Sequence, residues 1–219
     1  MRVTVIDYKA GNLTSVLKAL RHLGAEPVVT DSDLSLIERA ERIVLPGVGH
    51  FAATERLDRT GMTGVIREAV KRGVPFLGIC VGMQWLLDGS EEAPGQPGLG
   101  YFTGTCKRFP DTDQKVPHVG WNHILPVVQP PRRLMAGVDP TNGGEYAYFT
   151  HSYYVPFIAL QVRPRELRDP MNVSASLTQY VVNFASSVEH NNVMGVQFHP
   201  EKSGETGLRI LRNFLEWSC

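Results

Sequence analysis

Strand and helix signals alternate through the first half of this 219-residue chain, which predicts an α/β protein on a mostly parallel central sheet. Three observations carry that reading. Short apolar runs recur between segments whose apolar residues keep helical spacing. Glycine or proline marks each change of pattern. The second half replaces helices with short β-like runs, which predicts antiparallel strands added to the same sheet. The expected architecture is three-layer, with helices flanking the sheet and right-handed crossovers.

The elements follow in order. A short apolar strand is expected over 3–7. Leu13, Val16, Leu17, Leu20 and Leu23 then keep helical spacing, with Asn12 as N-cap and Gly24 as stop. Strands are expected over 27–30 and 42–45, the second ended by Pro46-Gly47. Val65, Ile66, Ala69 and Val70 mark a helix closed by Gly73, and 75–79 reads as a fourth strand. Beyond it, β-like runs cover 100–109, 144–154, 181–187 and 193–198. Leu208, Leu211, Phe214 and Leu215 mark a C-terminal helix. No linker divides the halves, so 1–219 is expected to be a single domain. The basic stretch within 156–170, around Arg163 to Arg168, reads as a solvated surface loop.

Composition narrows the function classes. Lys+Arg and Asp+Glu are both 22, so the formal net charge is zero. That balance gives no electrostatic reason to expect nucleic acid or an anionic membrane as partner. Hydrophobic residues at 42% and charged residues at 20% exclude a disordered chain. No apolar run approaches the roughly 20 residues of a spanning helix, and Asp7 comes too early for a signal peptide's apolar core. Cys80, Cys106 and Cys219 are odd in number and contain no CxxC pair, against a disulfide scaffold or zinc ribbon. A cytoplasmic protein is the expectation, and a lone cysteine in a special setting is then a candidate nucleophile.

That setting surrounds Cys80. In Gly78-Ile79-Cys80-Val81-Gly82 a buried strand runs through Gly-x-Cys-x-Gly into a helical segment, the nucleophile-elbow pattern with Cys in place of Ser. Glycines allow the tight turn, and backbone N–H groups of the following helix favour a thiolate and can bind an oxyanion. A buried structural cysteine between packing glycines is the plainer alternative. Cys106 and Cys219 have no comparable setting.

A thiol nucleophile needs a base, and the base an orienting group. Of seven histidines, His199 in Phe198-His199-Pro200-Glu201 fits best: a β-like run ends at His199, and Pro200 fixes the chain so that Glu201 can accept from the imidazole. His151, in an aromatic β-like run, is the rival base, with packing as its default role. His118 and His123 flank Trp121 without a familiar ligand spacing, and no metal is expected. Gly47-Val48-Gly49-His50-Phe51-Ala52 formally matches a weak dinucleotide fingerprint but follows the third strand, and the acid at the expected distance, Glu68, lies inside a helix. Beside Cys80, that glycine strand could instead donate an N–H to an oxyanion.

With these residues the chain resembles class I, triad-type glutamine amidotransferases, whose two signatures are the elbow through Met83-Gln84 and His199-Pro200-Glu201. Within them it is most similar to glutaminase subunits of imidazole glycerol phosphate synthase. Further segments carry that match: Asp7-Tyr8-Lys9-Ala10-Gly11-Asn12-Leu13, Leu45-Pro46-Gly47-Val48-Gly49, Ser90-Glu91-Glu92, Pro117-His118-Val119-Gly120-Trp121-Asn122 and Tyr148-Phe149-Thr150-His151-Ser152-Tyr153. The resemblance implies glutamine hydrolysis, with ammonia passed to a barrel-type cyclase subunit in a heterodimer of histidine biosynthesis, and no metal or organic cofactor. It implies Cys80 as nucleophile, His199 as proton shuttle and Glu201 as its orienter. Val81 with Gly47, Val48 and Gly49 would form the oxyanion hole, and Gln84 and Glu92 would contact glutamine. Asn12, Trp121, Tyr148 and Lys202 would face the cyclase. Three departures stand out: Lys9 where the family usually has Gly, Val81 for the usual Leu, and a longer stretch between Tyr154 and Val173. Other readings are a glutaminase subunit for anthranilate or pyridoxal phosphate synthesis, a stand-alone thiol hydrolase, and a nucleotide-binding module on 47–52.

Overall fold

Strands β1 (Arg2–Ile6), β2 (Glu26–Thr30), β3 (Ile43–Gly47) and β4 (Phe76–Cys80) run parallel, in the order β2-β1-β3-β4. This computed structural model describes residues 1–11, 13–126, 133–139, 141, 144–157 and 173–217. Every residue of β3 and β4 is buried, as in a parallel sheet covered on both faces. The helices between strands are α1 (Leu13–His22), α2 (Leu34–Glu38), α3 (Glu55–Arg59) and α4 (Met62–Lys71). Val16 and Leu20 of α1 and Ile66, Ala69 and Val70 of α4 are buried as the spacing predicts, joined by Ala19 and Met62, while Leu13, Leu17, Leu23 and Val65 are only partly buried.

After β4 come α5 (Val81–Gln84), β5 (Gly89–Ser90), β6 (Thr105–Arg108), β7 (His118–Pro126), β8 (Glu145–His151), β9 (Tyr153–Tyr154), β10 (Ser174–Gln179), β11 (Asn183–His190), β12 (Val193–Val196) and α6 (Gly204–Leu215). Strand β12 pairs in parallel with β4, and β11, β10, β7 and β8 continue the sheet antiparallel. The described strands β5, β6 and β9 form a second small sheet. One buried cluster takes residues from both halves of the chain. The α/β expectation with added antiparallel strands matches this architecture.

Several details differ from the sequence reading. Helices α2 and α3 were not anticipated, since five residues are too few to display a period. Strand β7 escaped because Gly120, Asn122 and two histidines interrupt its alternation, and β10 because Ser-Ala-Ser-Leu-Thr-Gln reads as loop. Strand β3 continues through Pro46-Gly47 instead of stopping there. Ile43 N–H donates toward β4, at Pro75, so the alternate residue Pro46 faces β1, whose pairing ends at Val44. Its missing N–H breaks no ladder bond. Asn12, Cys219 and residues 158–172, with the basic Arg163 to Arg168 stretch, lie outside the described residues.

Candidate active site

Cys80 closes β4 with φ +54° and ψ −107°, close to the mirror image of extended backbone. For a residue with a Cβ that conformation costs about 1–3 kcal/mol. The turn is made possible by its glycines. A Cβ on Gly78 would strike the Gly82 backbone, and one on Gly82 the carbonyl of Leu45. The side chain is held at the carboxyl end of the sheet and is nearly buried. Gln197 Nε2 donates to Sγ at 3.6 Å, and the thiol reaches the Thr150 carbonyl at 3.9 Å.

His199 is delivered by β12, the parallel neighbour of β4, with Val196 paired to Ile79. Its backbone N–H donates to the Tyr148 carbonyl at 2.8 Å, and Ser203 Oγ donates to its carbonyl at 2.6 Å. Nδ1 lies 2.9 Å from Glu201 Oε1, with the two side chains 1% and 3% exposed. The carboxylate can only accept, so Nδ1 carries the proton and Nε2 is the reactive nitrogen. Nε2 and Glu201 Oε2 are buried without a hydrogen-bond partner among the described residues. Burial disfavours the imidazolium, but interaction with Cys80 and then Glu201 outweighs it, so the His199 pKa is raised. Cys80, His199 and Glu201, the three residues expected to act together, are thus brought to one end of the sheet.

Gly47 pairs with Cys80 across the β3–β4 ladder, and Val48 and Gly49 lie past its end, Gly49 at φ +118°. A narrow crevice beside this strand is lined by Gly11, Gly47, Val48, His199 and Glu201. Val81 is the first residue of α5, directly after the thiol. Tyr8 packs its hydroxyl against Gly47 where any Cβ would collide with it, and that hydroxyl has no hydrogen-bond partner among the described residues. Glu92 Oε2 accepts from the Phe51 N–H at 2.7 Å, tying it to the turn after the glycine strand. Gln84 is buried, its Nε2 donating to the Tyr153 carbonyl at 2.8 Å and to Gln197 Oε1 at 3.2 Å.

Trp121 is 55% exposed and meets the Tyr148 ring edge-on at 6.1 Å, while Lys202 Nζ lies 5.6 Å over the Tyr148 ring. Val119 and Tyr146 are also exposed on these strands. Lys9 adopts φ +63°, a glycine-type conformation, with its ammonium 3.0 Å from Asp7 and 2.7 Å from Asp31. His151 does not join the triad, because both ring nitrogens are engaged, with His118 and Tyr153. Cys106 is fully buried, and burial raises its thiol pKa far from reactivity. Among the described residues no cluster of three His, Cys, Asp or Glu could hold a metal, and no helix is long and apolar enough to cross a membrane.

The family model "Glutamine amidotransferase class-I" matches residues 4–217. The chain belongs to the class I glutamine amidotransferases. Two similar relatives are named imidazole glycerol phosphate synthase subunit HisH. That of Methanopyrus kandleri is 43% identical over 218 residues, covering 98% of both chains. That of Deinococcus radiodurans is 42% identical over 214 residues, covering 97% of this chain and 92% of its own. Among solved structures, PurLQS from Thermotoga maritima superposes with a TM-score of 0.70 at 20% identity, over 98% of this chain and 97% of that one. The glutaminase domain of Trypanosoma brucei CTPS with bound acivicin gives 0.65 at 16% identity, over 100% and 95%. These structures share the amidotransferase fold.

Sequence reasoning assigned no role in this amidotransferase site to Tyr8, Gln197 or His118. Gln197 had a usable signal: it precedes His199 by two residues in a β-like run, where alternate residues are expected on one face. Tyr8 had none, because its contact with Gly47 joins two strand ends distant in sequence.

Proposed function

We propose that this chain is the glutaminase subunit of an imidazole glycerol phosphate synthase. It hydrolyses glutamine to glutamate and ammonia and supplies the ammonia to a barrel-type cyclase subunit. The cyclase combines ammonia with the ribulosyl aminoimidazole carboxamide nucleotide PRFAR, giving imidazole glycerol phosphate and AICAR. The observation that carries the reading is the meeting of Cys80 with the His199–Glu201 pair, in a chain more than 40% identical over nearly its whole length to subunits of that name.

The chemistry follows from the geometry. Cys80 Sγ attacks the side-chain amide carbon of glutamine while His199 Nε2 holds the thiol proton. Glu201 stabilises the imidazolium through Nδ1. The oxyanion is received by the Val81 N–H and by an N–H of the strand formed by Gly47, Val48 and Gly49. His199 gives the proton to the departing nitrogen, and ammonia leaves. Water then attacks the glutamyl thioester with His199 as base, releasing glutamate and the thiol. Glu92 is suited to the substrate ammonium, and Gln84 acts from behind the thiol through Gln197. The exposed face of Val119, Trp121 and Tyr146, with Tyr148 and Lys202 beside it, fits the cyclase surface. By the resemblance alone, Asn12 would also face the cyclase. Activity of the isolated chain is low in this reading, because the occupied partner selects the productive state of the glycine strand.

The test is glutamate release by the purified chain, alone and with a histidine-pathway cyclase plus its nucleotide substrate. Release that depends on the complex supports the reading. Release only with a different acceptor subunit, such as one serving anthranilate or pyridoxal phosphate synthesis, overturns the partner.

A further inference from the structure

A run of polar groups, half-buried at Asn122 and buried at His118, His151, Gln84 and Gln197, leads from β7 to Cys80. Asn122 Nδ2 donates to the Gln179 carbonyl at 2.9 Å and lies 3.3 Å from His118 Nε2. Its orientation is fixed because Asn122 Oδ1 accepts from the His123 N–H at 2.8 Å. An amide nitrogen can only donate, so His118 Nε2 accepts and its proton sits on Nδ1. That nitrogen lies 3.2 Å from His151 Nε2, which must therefore accept in turn. The His151 proton then sits on Nδ1, which donates to the Tyr153 carbonyl at 2.8 Å. The same carbonyl receives Gln84 Nε2, which also donates to Gln197 Oε1. Gln197 Nε2 is left aimed at the sulfur, a donor matched to a thiolate.

We propose that His118 and His151 are positioning residues for the nucleophile. Both are neutral and both are Nδ1–H tautomers, and together they fix the Tyr153 carbonyl that orients Gln84, Gln197 and thereby the Cys80 thiol. The inference rests on Cys80 being the glutaminase nucleophile. Only one arrangement of protons satisfies every contact in the run. With the proton on Nε2 of His118, its N–H would face the Asn122 N–H. With the proton on Nε2 of His151, that N–H would face the His118 donor, and the Tyr153 carbonyl would lose a bond. Burial disfavours the charged form of both rings: His118 is 3% exposed, between Tyr180 at 4.0 Å and Phe149 at 4.9 Å, and His151 is 6% exposed, against Phe109 and Phe184. Buried hydrogen-bond chains of this kind act as units, because an unpaired member carries its full desolvation cost.

The test has a spectroscopic arm and a kinetic arm. Nitrogen-15 spectra of the imidazole rings in the full chain at neutral pH, assigned with the His118→Gln and His151→Asn variants, should place both rings in the Nδ1–H form. That tautomer is the minor one for free histidine. In the complex with the cyclase, His151→Phe should lower kcat for glutamine hydrolysis by about tenfold with KM changed less than about twofold, the pattern of a lost transition-state contribution. His151→Asn keeps a donor where Nδ1 stood and should recover most of that loss. Alkylation of Cys80 by iodoacetamide should slow by roughly fivefold in His151→Phe and much less in His151→Asn. Nε2–H tautomers or imidazolium signals for either ring, or a folded His151→Phe with unchanged kcat and alkylation rate, would overturn the proposal. A wild-type complex that releases no glutamate would overturn the functional reading instead, while tautomers and alkylation still decide this one.

Discussion

The backbone N–H of His199 donates to the carbonyl of Tyr148 at 2.8 Å. The strand that carries the exposed aromatic face is thereby bonded directly to the residue proposed to move the proton. Tyr148 pairs with Trp121 across β7 and β8, and Ser203 Oγ donates to the His199 carbonyl while receiving the Tyr148 N–H. A partner seated on Trp121 and Tyr148 would therefore press on the backbone of His199 itself.

Glu201→Gln tests the orienting role. The amide keeps the shape but not the charge that stabilises the imidazolium 2.9 Å away. The expected loss in kcat is about 100-fold or more, within the range of general acid–base catalysis, with KM changed little. Steady-state glutamate release in the complex measures it, and a loss below about threefold would remove Glu201 from the triad.

Cys80→Gly and Cys80→Ala separate strain from chemistry. Both variants lose the thiol and should hydrolyse no glutamine. Only glycine adopts φ +54° with ψ −107° without strain. The glycine variant should be more stable than the alanine variant by about 1 kcal/mol or more. Urea midpoints give the comparison, and an alanine variant equal to glycine would contradict a strained elbow.

Tyr8→Phe removes a buried hydroxyl that has no partner among the described residues. Burial raises the phenol's pKa far above its ordinary value, so it remains neutral and the substitution removes no charge. Stability should be unchanged or higher by up to about 1 kcal/mol. A fall of that size in the denaturation midpoint would mean that the hydroxyl is bonded in solution.

Stability should decline on the acid side of neutrality. Burial holds His118 down to about 4 and, with His118 beside it, His151 down to about 3, against 6.5 for the unfolded chain. Below pH 6.5 the unfolded state binds protons that these two native rings refuse, so their contribution to stability is complete above that pH and falls progressively as pH drops toward 4. Melting temperatures from pH 7 to pH 4 measure it, and in His118→Gln the decline should be shallower. An equal slope in both proteins would contradict neutral burial.

The parallel half of the fold was legible because β1, β3 and β4 are almost wholly buried and α1 and α4 carry apolar stripes at helical spacing. The elbow and His199-Pro200-Glu201 were legible because glycine, cysteine, histidine and proline each restrict geometry in a recognisable way. Strand β7 and the run through His118, His151 and Gln197 were not. Each of those polar residues reads as an interruption until pairing across β7 and β8 sets His118 opposite His151. Tyr8 against Gly47 was likewise a relation between strand ends, and no local pattern announces such a contact.

The most direct measurement is rapid quenching of the wild-type complex during glutamine turnover, followed by peptide mass analysis. A glutamyl thioester on the peptide containing Cys80, absent from the Cys80→Ala complex, is the predicted result. Glutamate release that persists in Cys80→Ala, or an adduct on another residue, would contradict the assignment of Cys80 as nucleophile.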